Sequence, residues 1–175
     1  MMEKDDRYKY IHPLVFWGRV KEFSDIFDYL SKSTVAEALG KEKSRFTELI
    51  HRPYELTFES VYQLSKLWKL SLQQMATLIR PECSKNNPEV PEQKDKRYNI
   101  IVPLFKENKI KEFKDILEHI PKSVVANDIG KKVTRFDQIE EITVMELFII
   151  GNLCELDLAK MFNLVKTQYS KENKS

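Results

Sequence analysis

Apolar residues along this chain recur three and four positions apart in short runs, the spacing of a helix with one buried face. Val20, Phe23, Ile26, Phe27 and Leu30 form one such run, and Ile110, Phe113, Ile116, Leu117 and Ile120 form a second one further on. Thr34 followed by Glu37 has the spacing of a capping box, so a second helix is expected to begin near Thr34 and to stop at Gly40, a residue suited to the left-handed region. A third helix is expected from about Lys43 to Ile50. A fourth starts near Thr57 with Val61, Leu64 and Leu67 inward, and a fifth near Ser71 with Leu72, Met75, Leu78 and Ile79 inward. Tyr8, Ile11, Leu14 and Val15 add an apolar segment at the front, read as helical despite Pro13.

The pattern occurs twice. Arg7-Tyr8, Ile11, Pro13-Leu14, Lys21-Glu22-Phe23, Asp25-Ile26, Lys32-Ser33, Val35-Ala36, Gly40-Lys41 and Arg45-Phe46 recur identically 90 positions later, from Arg97-Tyr98 to Arg135-Phe136. Beyond Phe136 the offset falls to 86, so that Thr57, Leu67, Leu70, Leu72 and Met75 match Thr143, Leu153, Leu156, Leu158 and Met161. The second copy is thus shorter by four residues near His51-Arg52-Pro53-Tyr54, and because Pro53 disfavours helix before it, the gap is expected in a connection between helices. Between the copies, PECSKNNPEVPEQKDK has the proline-rich, polar composition of an exposed linker. The expectation is an all-α protein of two tandem five-helix domains: 1-80, a linker at 81-96, 97-169, and a fraying polar tail at 170-175.

Composition agrees with this reading. Hydrophobic residues at 42% and charged residues at 32% describe folded cores under a solvated surface, and four glycines are too few for the turns of a many-stranded fold. Cys83 and Cys154 have neither disulfide-framework nor metal-pair spacing, and the amino-terminal MMEKDDRYKYIHPL lacks the apolar run of a secretory signal. No segment approaches the roughly 20 apolar residues of a membrane span. A cytoplasmic protein with no membrane partner is expected. A net charge of +2 permits nucleic-acid binding without pointing to it, since an electrostatic footprint needs local clustering.

Local residues are more informative. A helix-turn-helix needs a small residue on its first helix, a glycine four positions later at the turn, and apolar residues that hold the second helix. Val35, Ala36, Leu39, Gly40, Phe46 and Leu49 meet this requirement, as do Val125, Ala126, Ile129, Gly130, Phe136 and Ile139. With SLQQMATLI and DLAKMFNLV closing the copies, the chain resembles the lambda-repressor/Cro-like helix-turn-helix family over the five-helix part of each copy. The run RYNIIVPL, IKEFKDI, PKSVVANDIG and RF also resembles transcriptional regulators of this class.

The resemblance implies that the start of the third helix faces the major groove of double-stranded DNA. In this chain that means Lys43, Ser44, Thr47 and Glu48, with Lys41, Arg45 and Arg52 nearby, and the segment is locally basic. The second candidate set, Lys131, Lys132, Thr134, Arg135 and Gln138, is offset by Asp137, Glu140 and Glu141. Copy one is therefore expected to supply most of the DNA contact, with copy two a weak second reader or a packing partner. Arg45 and Arg135 are open to two readings, phosphate contact or an intradomain ion pair with a packed stem. Trp17 and Trp68 read as core or inter-copy contacts rather than stacking platforms.

Catalysis is not expected. His12, His51 and His119 are scattered without zinc spacing or a nucleophile motif, the carboxylates interleave with lysines, and no glycine-rich phosphate loop exists. No cofactor, metal or small-molecule ligand is indicated. The copies are expected either to pair about a pseudo-two-fold axis within the chain or to leave pairing to a homodimer. The competing function is a protein-interaction module, antitoxin-like or adaptor, whose helix-turn-helix no longer binds DNA.

Overall fold

The computed structural model describes residues 6–87 and 94–174, and their regular structure is helical throughout. The first half runs through a 3-10 turn at Asp6–Tyr10, then α1 (Ile11–Phe16), a 3-10 segment at Phe23–Asp28, α2 (Lys32–Ala38), α3 (Lys43–His51), a 3-10 turn at Pro53–Glu55, α4 (Phe58–Trp68) and α5 (Leu72–Lys85). The second half runs through a 3-10 turn at Lys96–Ile100, then α6 (Ile101–Lys106), α7 (Phe113–His119), α8 (Lys122–Asp128), 3-10 turns at Val133–Phe136 and Ile139–Glu141, α9 (Val144–Cys154) and α10 (Leu158–Glu172). Among the described residues, no helix is long and apolar enough to cross a membrane.

Local capping explains where these elements begin. Thr57 accepts the Ser60 N–H, Ser71 and Gln74 form a reciprocal capping box, Thr143 and Glu146 form another, and Asp157 accepts the Lys160 N–H. The repeated Lys-Glu-Phe-x-Asp is a helix start as well: Asp25 Oδ2 accepts from the N–H groups of Lys21 and Glu22, and Asp115 Oδ2 does the same for Lys111 and Glu112. Glu112 is buried and held by Lys114 and Lys171. Lys69 and Glu155 end α4 and α9 in the left-handed region at φ 54° and 60°, equivalent positions of the repeat.

Several elements differ from the pattern-based expectation. The Thr34–Glu37 box does not form, because α2 starts two residues earlier at Lys32, behind Ser31. The first run of apolar residues is a 3-10 segment in the first half and an α-helix only in the second. Helix α5 continues through Pro81 to Lys85, into the expected linker. Proline removes one helical hydrogen bond, but the next turn places Cys83 fully in the core, and Asn86 Nδ2 caps the Glu82 carbonyl. The 88–93 part of that linker lies outside the described residues. Helix α10 likewise takes in residues expected to fray, where Gln168 donates to Glu172 and Lys171 reaches Glu112. Trp17, expected in a core or between copies, is 71% exposed next to Phe16 at 75%, whereas Trp68 is fully buried beside Phe23 and Phe27.

The halves meet reciprocally. Thr57 and Thr143, which correspond in the repeat, form an antiparallel bridge in which Phe58 N donates to Ile142 O at 2.8 Å and Val144 N to Leu56 O at 2.9 Å. Around it α5 packs on α10, α4 packs on the Ile139–Glu141 turn and α9 packs on the Pro53–Glu55 turn. One continuous core results, taking in Leu56, Phe58, Leu64 and Met75 from the first half and Ile142, Leu147, Met161 and Phe162 from the second. The α4–α10 contact is aromatic, with Phe58 6.3 Å from Phe162 and Tyr62 5.7 Å from Tyr169. At the related α5–α9 contact, Ala76 and Cys83 stand in the equivalent places of Phe162 and Tyr169. Burial pushes the Cys83 and Cys154 thiols up to about 12, which keeps both unreactive at neutral pH.

Both tryptophans lie in the first half, so the shared core can be tested from the second. Phe162→Ala is expected to cost about 3–5 kcal/mol, and denaturant titration should show the buried Trp68 fluorescence transition moving with the far-ultraviolet helical signal. A tryptophan transition left at its original midpoint would mean that the halves unfold separately.

Candidate nucleic-acid interface

Helices α2 and α3 form a close pair around Val35, Ala36, Phe46, Leu49 and Ile50, all buried. The turn between them depends on Gly40 at φ +63°, where its N–H bonds Glu37 O and the following Lys41 N–H bonds Ala36 O, both at 2.9 Å. Gly130 takes the same conformation at φ +67° with Lys131 N bonded to Ala126 O. Up to this point the halves agree.

Helix α3 buries one stripe and leaves its first turn in solvent. Lys43, Ser44, Arg45 and Glu48 are exposed, Lys41 and Thr47 are half-buried. Thr47 Oγ1 donates back to the Lys43 carbonyl at 2.9 Å, an internal bond that competes with outside partners. Arg52 closes the helix and pairs with Glu48 at 3.6 Å and Glu55 at 3.0 Å, so its charge is largely compensated. Lys41, Lys43 and Arg45 form no ion pair among the described residues. They converge on one end of α3, with Glu42 as the neighbouring acid.

The second half has no counterpart to α3. The expected third helix is replaced by the 3-10 turn Val133–Phe136, an extended Gln138 and the turn Ile139–Glu141. The missing residues therefore shorten the helix itself rather than a connection beside it. Four residues make about one helical turn. Ile139, matched in the sequence with Leu49, instead occupies the turn equivalent to Pro53–Glu55, and it is buried there.

Charge has been redistributed as well. Arg135 Nε donates to both oxygens of Glu146, at 3.0 and 2.9 Å, and Thr143 N donates to the same carboxylate at 3.0 Å. Lys131 Nζ stands 3.9 Å from it and Lys122 pairs with Asp137 at 4.0 Å. Of the second candidate set, Lys132, Thr134 and Gln138 are exposed, while Arg135 is half-buried and committed to Glu146. The two open readings of the arginines thus divide: Arg135 is an intradomain ion pair, and Arg45 is a solvent-facing cation. The backbone around the two arginines differs, and so does the residue that could pair with them. Glu146 lies three residues after the cap Thr143, and the equivalent residue after Thr57 is Ser60, whose hydroxyl receives only the Thr57 Oγ1 bond at 3.1 Å. The Thr-x-x-Glu spacing of 143–146 was the available sequence signal for this difference.

His12, His51 and His119 are all exposed, and no group of three or more His, Cys, Asp or Glu residues that could hold a metal occurs among the described residues.

Removing the carboxylate leaves a half-buried guanidinium and an uncapped N–H, so Glu146→Ala is expected to lower stability by about 2–3 kcal/mol. Ser60→Ala, at the equivalent place in the first half, should cost under about 1 kcal/mol. Paired denaturant titrations measure both, and equal costs would remove the assigned difference between the arginines.

The chain matches no protein-family model, no curated protein and no solved structure.

Proposed function

We propose that the chain is a DNA-binding transcriptional regulator, a tandem pair of lambda-repressor-like helix-turn-helix units in which α3 of the first copy enters the major groove. The observation that carries this reading is the unpaired state of Lys43 and Arg45 on the exposed first turn of α3, with Lys41 beside them. A cation that has no carboxylate partner in the protein gives up no internal interaction when it meets a phosphate. An α-helix about 10–12 Å across fits a major groove about 12 Å wide, and α3 supplies nine residues to it. The second copy acts as a packing partner, since Arg135 is engaged and its segment carries Asp137, Glu140 and Glu141. The molecule works by binding, without catalysis or a cofactor, in the cytoplasm.

A second reading, a protein-interaction module, draws on one observation: Tyr10, Phe16 and Trp17 are exposed at 55%, 75% and 71% on the first half. Phe16 and Trp17 are adjacent in the chain, and contiguous apolar surface of this kind favours a protein contact.

Salt-titrated binding of the full chain to random duplex DNA separates the two. Replacing Lys43 and Arg45 by Ala should weaken binding and flatten the salt slope by about 1 for each lost phosphate contact, while Lys132→Ala leaves the slope in place. Absence of duplex binding, or binding indifferent to the loss of Lys43 and Arg45, would move the function to the exposed rings.

A further inference from the structure

Regulators that present two identical reading helices about a two-fold axis recognise inverted repeats, with half-sites about 34–36 Å apart. In this chain the approximate two-fold axis is internal. It passes between Thr57 and Thr143, whose flanking residues exchange the bonds Phe58 N to Ile142 O and Val144 N to Leu56 O. The same operation that exchanges α4 with α9 and α5 with α10 carries α3 onto the stretch Val133–Glu141, where there is no α-helix. The axis therefore relates a reading helix to a segment that cannot read.

Two further observations bear on the site. Met75 and Ile79 of α5, and Met161, Phe162 and Val165 of α10, are fully buried where the two helices pack. A second chain cannot use that face for pairing without opening the core. The surface that would lie over the other half-site is also unfavourable for DNA: Asp137 and Glu141 are exposed, Glu140 is half-buried, and Arg135 is neutralised by Glu146, leaving Lys132 as the cation of that stretch without an ion pair among the described residues. Duplex phosphates laid along it would be repelled.

We infer that one chain reads one asymmetric DNA segment, with no inverted repeat. This rests on the proposed DNA-binding function and specifies its substrate. The length of α3 against the 3.4 Å rise of the duplex limits base contact to about four consecutive base pairs. The second half holds the reader in place and, through its acidic edge, sets which way the duplex runs across the protein.

The test is selection of the full chain against random duplex DNA, followed by measurement of the mass of the complex. The expected result is one contiguous, non-palindromic motif bound by one chain. Joining two copies of that motif as an inverted repeat, with centres one helical turn apart, should raise affinity by no more than the statistical factor of about two. An inverted-repeat motif, two chains per duplex, or a gain of about tenfold or more on joining would overturn the inference while leaving DNA binding intact. Failure to bind any duplex would remove the functional proposal itself, and this inference with it.

Discussion

The antiparallel meeting of Leu56–Phe58 with Ile142–Val144 governs the rest of the molecule. Each backbone bond there contributes only about 1 kcal/mol net. Their position gives them more influence than their energy, because α4 and α9 both start at the bridge and their starting points determine where α5 and α10 can lie. Once those helices are seated, the apolar faces of both halves close on one another in one core. This matters for chains of this size, because a small domain buries a lower fraction of its surface than a larger one. Two weak cores become one adequate core.

Sharing a core relaxes the demand that the halves be alike. Large rings fill one side of the interface, with Phe58, Tyr62, Phe162 and Tyr169, while small residues fill the related side, with Ala76 and Cys83. The same freedom extends to the surface. A segment that loses one helical turn is ordinarily costly, yet here Ile139 drops into the place of Pro53 and keeps the core closed. The shortened segment keeps Phe136 and Ile139 in the core and loses the solvent-facing side of the helix, which in the proposed function carries recognition. Glu146 completes the change by turning Arg135 inward into a hydrogen-bonded pair, and Ser60 leaves the corresponding Arg45 in water.

Much of the architecture was legible from local pattern. The starts of α3, α4 and α5 fell where Lys43, Thr57 and Ser71 indicated; for α4 and α5 this is because a side chain that caps a helix acts over three residues and needs no tertiary context. The turn at Gly40 was legible for the same reason, through its left-handed backbone. Pattern misled where distant packing outweighed propensity. The proline-rich, polar composition from Pro81 onward suggested a linker, but α5 runs on to Lys85 with Cys83 buried, and Trp17, expected in a core or between copies, stands in solvent.

By itself the sequence determined the helical content, the repeat, the turn glycines and most helix starts, because these depend on periodicity and on interactions within a few residues. It also identified Lys41, Lys43, Ser44, Arg45, Thr47, Glu48 and Arg52 as one basic, polar segment. Only the tertiary structure decided which of those charges remain available. An arginine is free or bound according to whether a carboxylate reaches it, and Arg135 meets Glu146 across 11 residues while Arg52 is held by Glu48 and Glu55. Tertiary structure also decided that the missing residues would abolish the second helix. Whether a shortened segment can still form a helix depends on what core positions its ends must reach, and those positions are set by the opposite half of the chain.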